Sequence, residues 1–176
     1  MHIYATVYSW IPDYGFEGLV NAISLAVLLG TNTNELERLK TLLNEHNIKD
    51  CIIDNMMYYL DPKWEVSTIE VKFPKVYEIL GEIVTCNNLD KRKELLKQYL
   101  DEWYSRNDFT AWHDSHKSKQ ASYNGYWSFE AGAIAKVLKI DDRDLKEQQY
   151  YPYDLVHFDE CSKDEKLQNS NHDLKR

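Results

Sequence analysis

Tyr123-Asn-Gly-Tyr-Trp-Ser-Phe-Glu-Ala-Gly-Ala-Ile-Ala-Lys-Val-Leu138 is the stretch that decides how the rest of this chain is read. Tyr126, Trp127, Ile134, Val137 and Leu138 recur at three- and four-residue steps, the spacing that lines side chains along one stripe of an α-helix. Glu130 falls on the same stripe, four residues after Tyr126 and four before Ile134, so its carboxylate is expected to point into protein. An ionised group in an apolar site is costly without partners, and tyrosine hydroxyls, indole N–H groups or backbone amides are the natural ones. Ala131, Gly132, Ala133 and Ala135 add little bulk and let neighbours approach from several sides. A glycine inside a helix costs roughly 1 kcal/mol relative to alanine, so Gly132 reads as a site of close packing. The expectation is a central helix near 122–138, packed nearly all round, with Tyr126, Trp127 and Glu130 at the structural centre of the fold.

Working outward toward the C-terminus, Asp141-Asp142 reads as the cap of a short helical turn, and Tyr150-Tyr-Pro-Tyr-Asp-Leu155 lays aromatic residues back across the surface. Hydrophobicity vanishes after Phe158, so 159–176 is expected to be a polar, loose tail beyond a single domain spanning 1–158. Toward the N-terminus, 106–121 is a polar connector carrying Trp112, His113, Asp114 and His116. Before it, Asp90 reads as the cap of a helix whose stripe is Leu95, Leu96, Tyr99, Leu100 and Trp103. Pro74 opens another helix, and 61–73 reads as a second irregular connector or a brief extended segment. Ile52, Ile53, Met56, Tyr59 and Leu60 have helical spacing up to the stop at Asp61-Pro62. Asn34 with Glu37 resembles a capping box, Gly30 a C-terminal stop, and Phe16 to Leu29 a broadly apolar helix after a turn at Pro12-Asp13-Tyr14-Gly15. Residues 1–11 are compatible with a short strand, a helix or a remnant of something upstream. The fold class expected is all-α, a compact multi-helix bundle.

The 176 residues are 43% hydrophobic and 13% aromatic, enough for one substantial core. The longest apolar run, near Ala22 to Leu29, is far short of the roughly 20 residues needed to span a bilayer, and no secretory leader is visible, so a cytoplasmic protein is expected. Cys51, Cys86 and Cys161 are widely spaced and form no CxxC pair, the pattern of reduced thiols. The net charge of −8 opposes binding to nucleic acid and to anionic membranes and suits a basic protein partner. No GxGxxG, GxxxxGK[ST] or GxSxG stands in the chain, and no cofactor is expected. His113, His116, Glu130 and Asp142 carry metal-ligand chemistry but match no HExxH spacing. A small metal-dependent hydrolase built on those four residues is the alternative reading, with no metal as the leading one.

Trp112-His-Asp-Ser-His-Lys117, then Tyr123 to Lys136, Ile140-Asp-Asp142 and Tyr151-Pro-Tyr-Asp-Leu155 resemble, in order and spacing, the C-terminal domain of PoNi-type immunity proteins. The likeness is specific between Leu95 and Leu155 and extends more diffusely upstream through Ser24-Leu-Ala-Val-Leu-Leu29. The resemblance implies an α-helical protein without catalysis of its own, which protects a bacterium by binding PoNe-type DNase toxins delivered between competing cells. On that reading the partner is a nuclease toxin, neutralised by occlusion of its DNA-binding or active-site surface. Asp141, Asp142, Asp144 and Asp154, near the end of the central helix, are the candidate contacts.

Overall fold

The computed structural model describes residues 12–119, 123 and 125–158, and among them every regular element is helical. The two terminal segments discussed above, 1–11 and 159–176, lie outside the described residues, as do Asn124 and the start of the expected central helix at 122. Helix α1 runs Pro12–Leu29, so Pro12 to Gly15 form its first turn instead of a separate one. Proline fits there because the first backbone N–H groups of a helix have no internal acceptor to lose. Phe16, Leu19, Val20, Ile23 and Val27 bury one side of α1, and Gly30, at φ +83°, ends it.

Helix α2 (Thr33–Glu45) is capped by Asn32, whose side chain accepts from Glu35 N–H at 3.0 Å. The cap therefore sits two residues before the expected Asn34, and Glu37 instead pairs with Lys40 at 2.8 Å. Helix α3 (Cys51–Leu60) follows, then α4 (Pro74–Thr85), opened by its proline as expected. Helix α5 (Leu89–Arg106) is capped by Asn88, which accepts from Lys91 N–H at 2.9 Å, and not by Asp90. Asp90 lies inside the first turn, where a carboxylate favours the positive end of the helix dipole. A 3-10 turn at Ser115–Lys117, helix α6 (Phe129–Leu138), a second 3-10 turn at Arg143–Leu145 and the short α7 (Tyr153–Val156) complete the described elements. None of the described helices is long and apolar enough to cross a membrane.

The first connector, 61–73, is irregular, and buried carboxylates fix it. Asp50 caps α3 through Ile52 and Ile53 N–H, at 2.9 and 3.1 Å, and accepts from Lys72 N–H at 2.8 Å with its second oxygen. Asp54, one turn on, accepts from the Trp64 indole at 3.0 Å and from both Ser67 N–H and Ser67 Oγ–H. These bonds tie 61–73 back onto α3 at both ends, which satisfies its polar backbone without a strand. Cys51, on the buried side of the same helix, has its thiol pushed up to about 12 by burial and the nearby Asp50 charge, so it is an inert core group.

Helix α6 sits at the middle. Residues 131–135 are buried in succession, which requires neighbours on every side, and α1, α3, α4, α5 and α7 all pack against it. The small residues make that possible: a Cβ on Gly132 would stand 2.7 Å from Pro152 Cγ and 3.1 Å from Val156 Cγ2. Lys136 reaches the other way, donating to the Leu28 carbonyl at the end of α1 at 2.8 Å. The central helix is shorter than its sequence pattern suggests. Residues 125–128 are not helical, because Gly125 takes φ +87° and Ser128 N–H bonds the Tyr150 carbonyl at 2.9 Å instead of an upstream turn.

Candidate functional site

Glu130 enters the core from the first turn of α6 and is 4% exposed. Three donors converge on its Oε1: the Tyr99 hydroxyl at 2.7 Å, the Trp103 indole at 2.6 Å and the Ser128 hydroxyl at 2.9 Å. Tyr99 and Trp103 lie one turn apart on α5, so one helix face presents both groups to the carboxylate. Burial raises the Glu130 pKa above its ordinary value, against the lowering pull of these donors, Tyr99 first. Burial and the Glu130 charge together push the Tyr99 phenol well above its own, which keeps it a hydrogen-bond donor.

Around this anchor the aromatic residues form a continuous shell. Trp103 stacks on Trp112 with ring centroids 5.1 Å apart and a 17° interplanar angle, and meets Tyr150 at 5.0 Å. Tyr150 holds the left-handed conformation at φ 68° and stacks on Tyr104. The second connector supplies the outer layer: Tyr104 O–H donates to Asp114 at 2.8 Å, and the Tyr126 oxygen accepts from His116 N–H at 3.1 Å and lies 2.7 Å from His116 Nδ1. Lys117, then the Tyr104 hydroxyl, hold the Asp114 carboxyl below its usual range.

The shell is open on one side. A cleft of about 270 Å³ is lined by Glu17, Trp103, Trp112, Tyr126, Trp127 and Glu130, among others. Glu17 comes from α1 and accepts from the Trp112 indole at 2.6 Å across 95 residues of sequence. Burial raises its pKa, the Trp112 bond opposes this, and the charge of Glu130 adds to it. Two carboxylates thus share one aromatic-walled recess.

A family model described as PoNe immunity proteins (PoNi), C-terminal, matches residues 48–155, more than half of the chain. The chain belongs to this family of immunity proteins. No curated protein and no solved structure shows a significant match. The PoNi match takes in Trp103, Trp112, Tyr126 and Glu130, whereas Glu17 lies upstream of it, on α1.

Of the residues singled out in this PoNi chain by sequence, Glu130 is at the centre. Tyr126 is half-buried in the aromatic shell, and Trp127, which precedes the helix, is 49% exposed at the cleft. The four carboxylates expected to face a partner separate. Asp141 is exposed and paired with Arg143 at 2.7 Å, Asp144 is exposed and paired with Lys93 at 2.6 Å, and Asp154 is exposed. Asp142 is 3% exposed, accepts from the Tyr151 hydroxyl at 2.6 Å and lies 3.1 Å from His157 Nε2. It is a core anchor for the segment after α6 and no surface contact, because its neighbours cover it.

The hydrolase reading finds no support in these positions. His116 is exposed against Tyr126, His113 lies against the Tyr104 ring at 4.1 Å, and Glu130 Oε1 and the Asp142 carboxylate are taken up by their own separate donors. Among the described residues no group of three or more His, Cys, Asp or Glu side chains is placed to hold a metal ion. Sequence reasoning passed over Glu17, which carries no local signal: it is an acid near the start of a broadly apolar helix. Asp50 had one, an aspartate directly before a helical apolar run, the signature of an N-cap.

Proposed function

We propose that this PoNi protein neutralises a PoNe nuclease toxin by binding it and occluding its DNA-binding or active-site surface, without catalysis of its own. The family match over residues 48–155 is the observation that carries the reading. A surface that holds DNA phosphates is rich in Lys and Arg, and a chain of net charge −8 is attracted to it at long range. Exposed carboxylates accelerate such encounters, while desolvated aromatic anchors slow release. Asp154 and the rim of the aromatic cleft are the groups this proposal assigns to those two tasks. Asp141 and Asp144 contribute less, since Arg143 and Lys93 already neutralise them. The non-catalytic role is consistent with Glu130 being held by three donors at one oxygen, the arrangement of an anchor and not of a proton carrier.

The test is DNA cleavage by a PoNe nuclease toxin, the cognate one where it is identified, in the presence of the purified protein. Loss of cleavage at stoichiometric ratio is expected; undiminished cleavage at excess rejects the reading.

A further inference from the structure

Two acids placed in one recess need a reason. Glu17 and Glu130 stand on different helices, and each accepts an indole N–H from a tryptophan of the same cleft, Trp112 and Trp103 respectively. Among the described residues lining that cleft there is no lysine or arginine. The walls are aromatic, with Trp127 half exposed at the opening. Two carboxylates with aromatic rings and no internal cation make a recess of negative potential, since ring faces carry negative charge density and attract cations. Its volume of about 270 Å³ is below the range of roughly 300–1,000 Å³ typical of sites for drug-sized molecules, and suits the end of one side chain.

We propose that this cleft is the receptor for a guanidinium group, an arginine side chain of the toxin that inserts between the aromatic walls toward Glu17 and Glu130. The inference rests on the immunity reading above and gives it a contact. Arginine fits better than lysine: its guanidinium is planar, weakly hydrated, stacks on aromatic rings and offers several N–H donors to two carboxylates. A buried cationic anchor of this kind is the class of residue that dominates protein interfaces. Burial currently holds both carboxyls above their ordinary pKa, and a cation seated beside them reverses that effect.

The tryptophan indoles report on the cleft directly. In 15N-labelled protein, titration with methylguanidinium is expected to move the Trp103 and Trp112 indole signals saturably, while neutral methylurea does not. Trp64, which donates to Asp54 and does not line the cleft, is the internal control and stays still. Glu17→Gln, which retains an acceptor for Trp112, and Trp127→Ala, at a half-exposed position, are each expected to weaken methylguanidinium binding by about tenfold, the effect of one lost charge-assisted or cation–π contact. Methylguanidinium shifts no larger than those of methylurea, or wild-type titrations in both variants, overturn the proposal. The nuclease assay separates it from the reading beneath it. If the wild type blocks cleavage and both variants block it equally, the cleft is not the receptor and the immunity reading stands. If the wild type leaves cleavage undiminished, the immunity reading fails, whatever methylguanidinium does.

Discussion

Replacing Glu130 by alanine removes the only carboxylate acceptor shared by Tyr99 O–H, Trp103 N–H and Ser128 O–H, which are 0%, 5% and 0% exposed as residues. Each orphaned buried donor costs about 1–3 kcal/mol. The sum is offset in part, because the carboxylate's own desolvation penalty disappears with it. The expected net loss is about 3–5 kcal/mol, the lower part of the summed cost of three orphaned neutral donors. With an m-value near 2 kcal/mol/M in urea, this lowers the unfolding midpoint by about 2 M. Tyr99→Phe removes one donor to a charged group and is expected to cost about 1.5–3 kcal/mol alone. In the Glu130→Ala background the same change should cost much less, since the hydroxyl there has lost its charged acceptor. Urea unfolding followed by circular dichroism at pH 7, on the wild type, both single variants and the double variant, measures all four. A Glu130→Ala stability within about 0.5 kcal/mol of the wild type, or a Tyr99→Phe cost that is identical in both backgrounds, refutes the view of Glu130 as the anchor of the core.

Other expectations are as sharp. The folded-state pKa of Glu17 lies above its ordinary 4.5, so the protonated acid favours the folded state; that stabilisation is fully present below pH 4.5 and is lost as pH rises through the folded value. Glu17→Gln should therefore gain stability relative to the wild type between pH 4 and pH 7, and a difference that is flat with pH in paired urea titrations counts against the burial of this carboxylate. Gly132→Ala should destabilise by about 1–3 kcal/mol in spite of a helix-propensity gain of about 1 kcal/mol, because the new methyl meets the rigid ring of Pro152 at 2.7 Å; a raised melting temperature excludes that contact. Asp50→Ala strips acceptors from Ile52, Ile53 and Lys72 N–H and should speed amide exchange at Lys72 as well as lower stability by about 2 kcal/mol; unchanged exchange at Lys72 means the connector is held by something else.

Helical class, the buried Glu130 and the punctuation at Gly30, Asp61-Pro62 and Pro74 were legible because each is a local signal: period, a polar residue on an apolar stripe, or a fixed backbone preference. The start of α6 was not. Tyr126 and Trp127 fit the helical period by coincidence, and what unwinds them is a bond from Ser128 to Tyr150, whose partner lies beyond any local window. The same holds for Asp142. As one of two adjacent acids it looked like a cap or a surface charge, and only the return of Tyr151 and His157 from the following segment buries it. The cleft depends on Glu17 meeting Trp112, a pairing that no periodicity in either segment foretells. Caps moved for a simpler reason: Asn32 and Asn88 stand just before acceptable alternatives, and the asparagine that directly precedes the helix takes the bond.

The Lys136 tether to the last carbonyls of α1 spans 108 residues of chain. At a translation rate of about 5–20 residues per second, roughly 5–20 s pass between release of α1 from the ribosome and arrival of the helix that covers it. Helix α3 covers part of the flank from Phe16 to Val27 sooner, but the part that α6 buries is exposed through that interval, a natural target for a holdase. Cells short of such chaperones should yield less soluble protein even where the finished form shows no loss of stability.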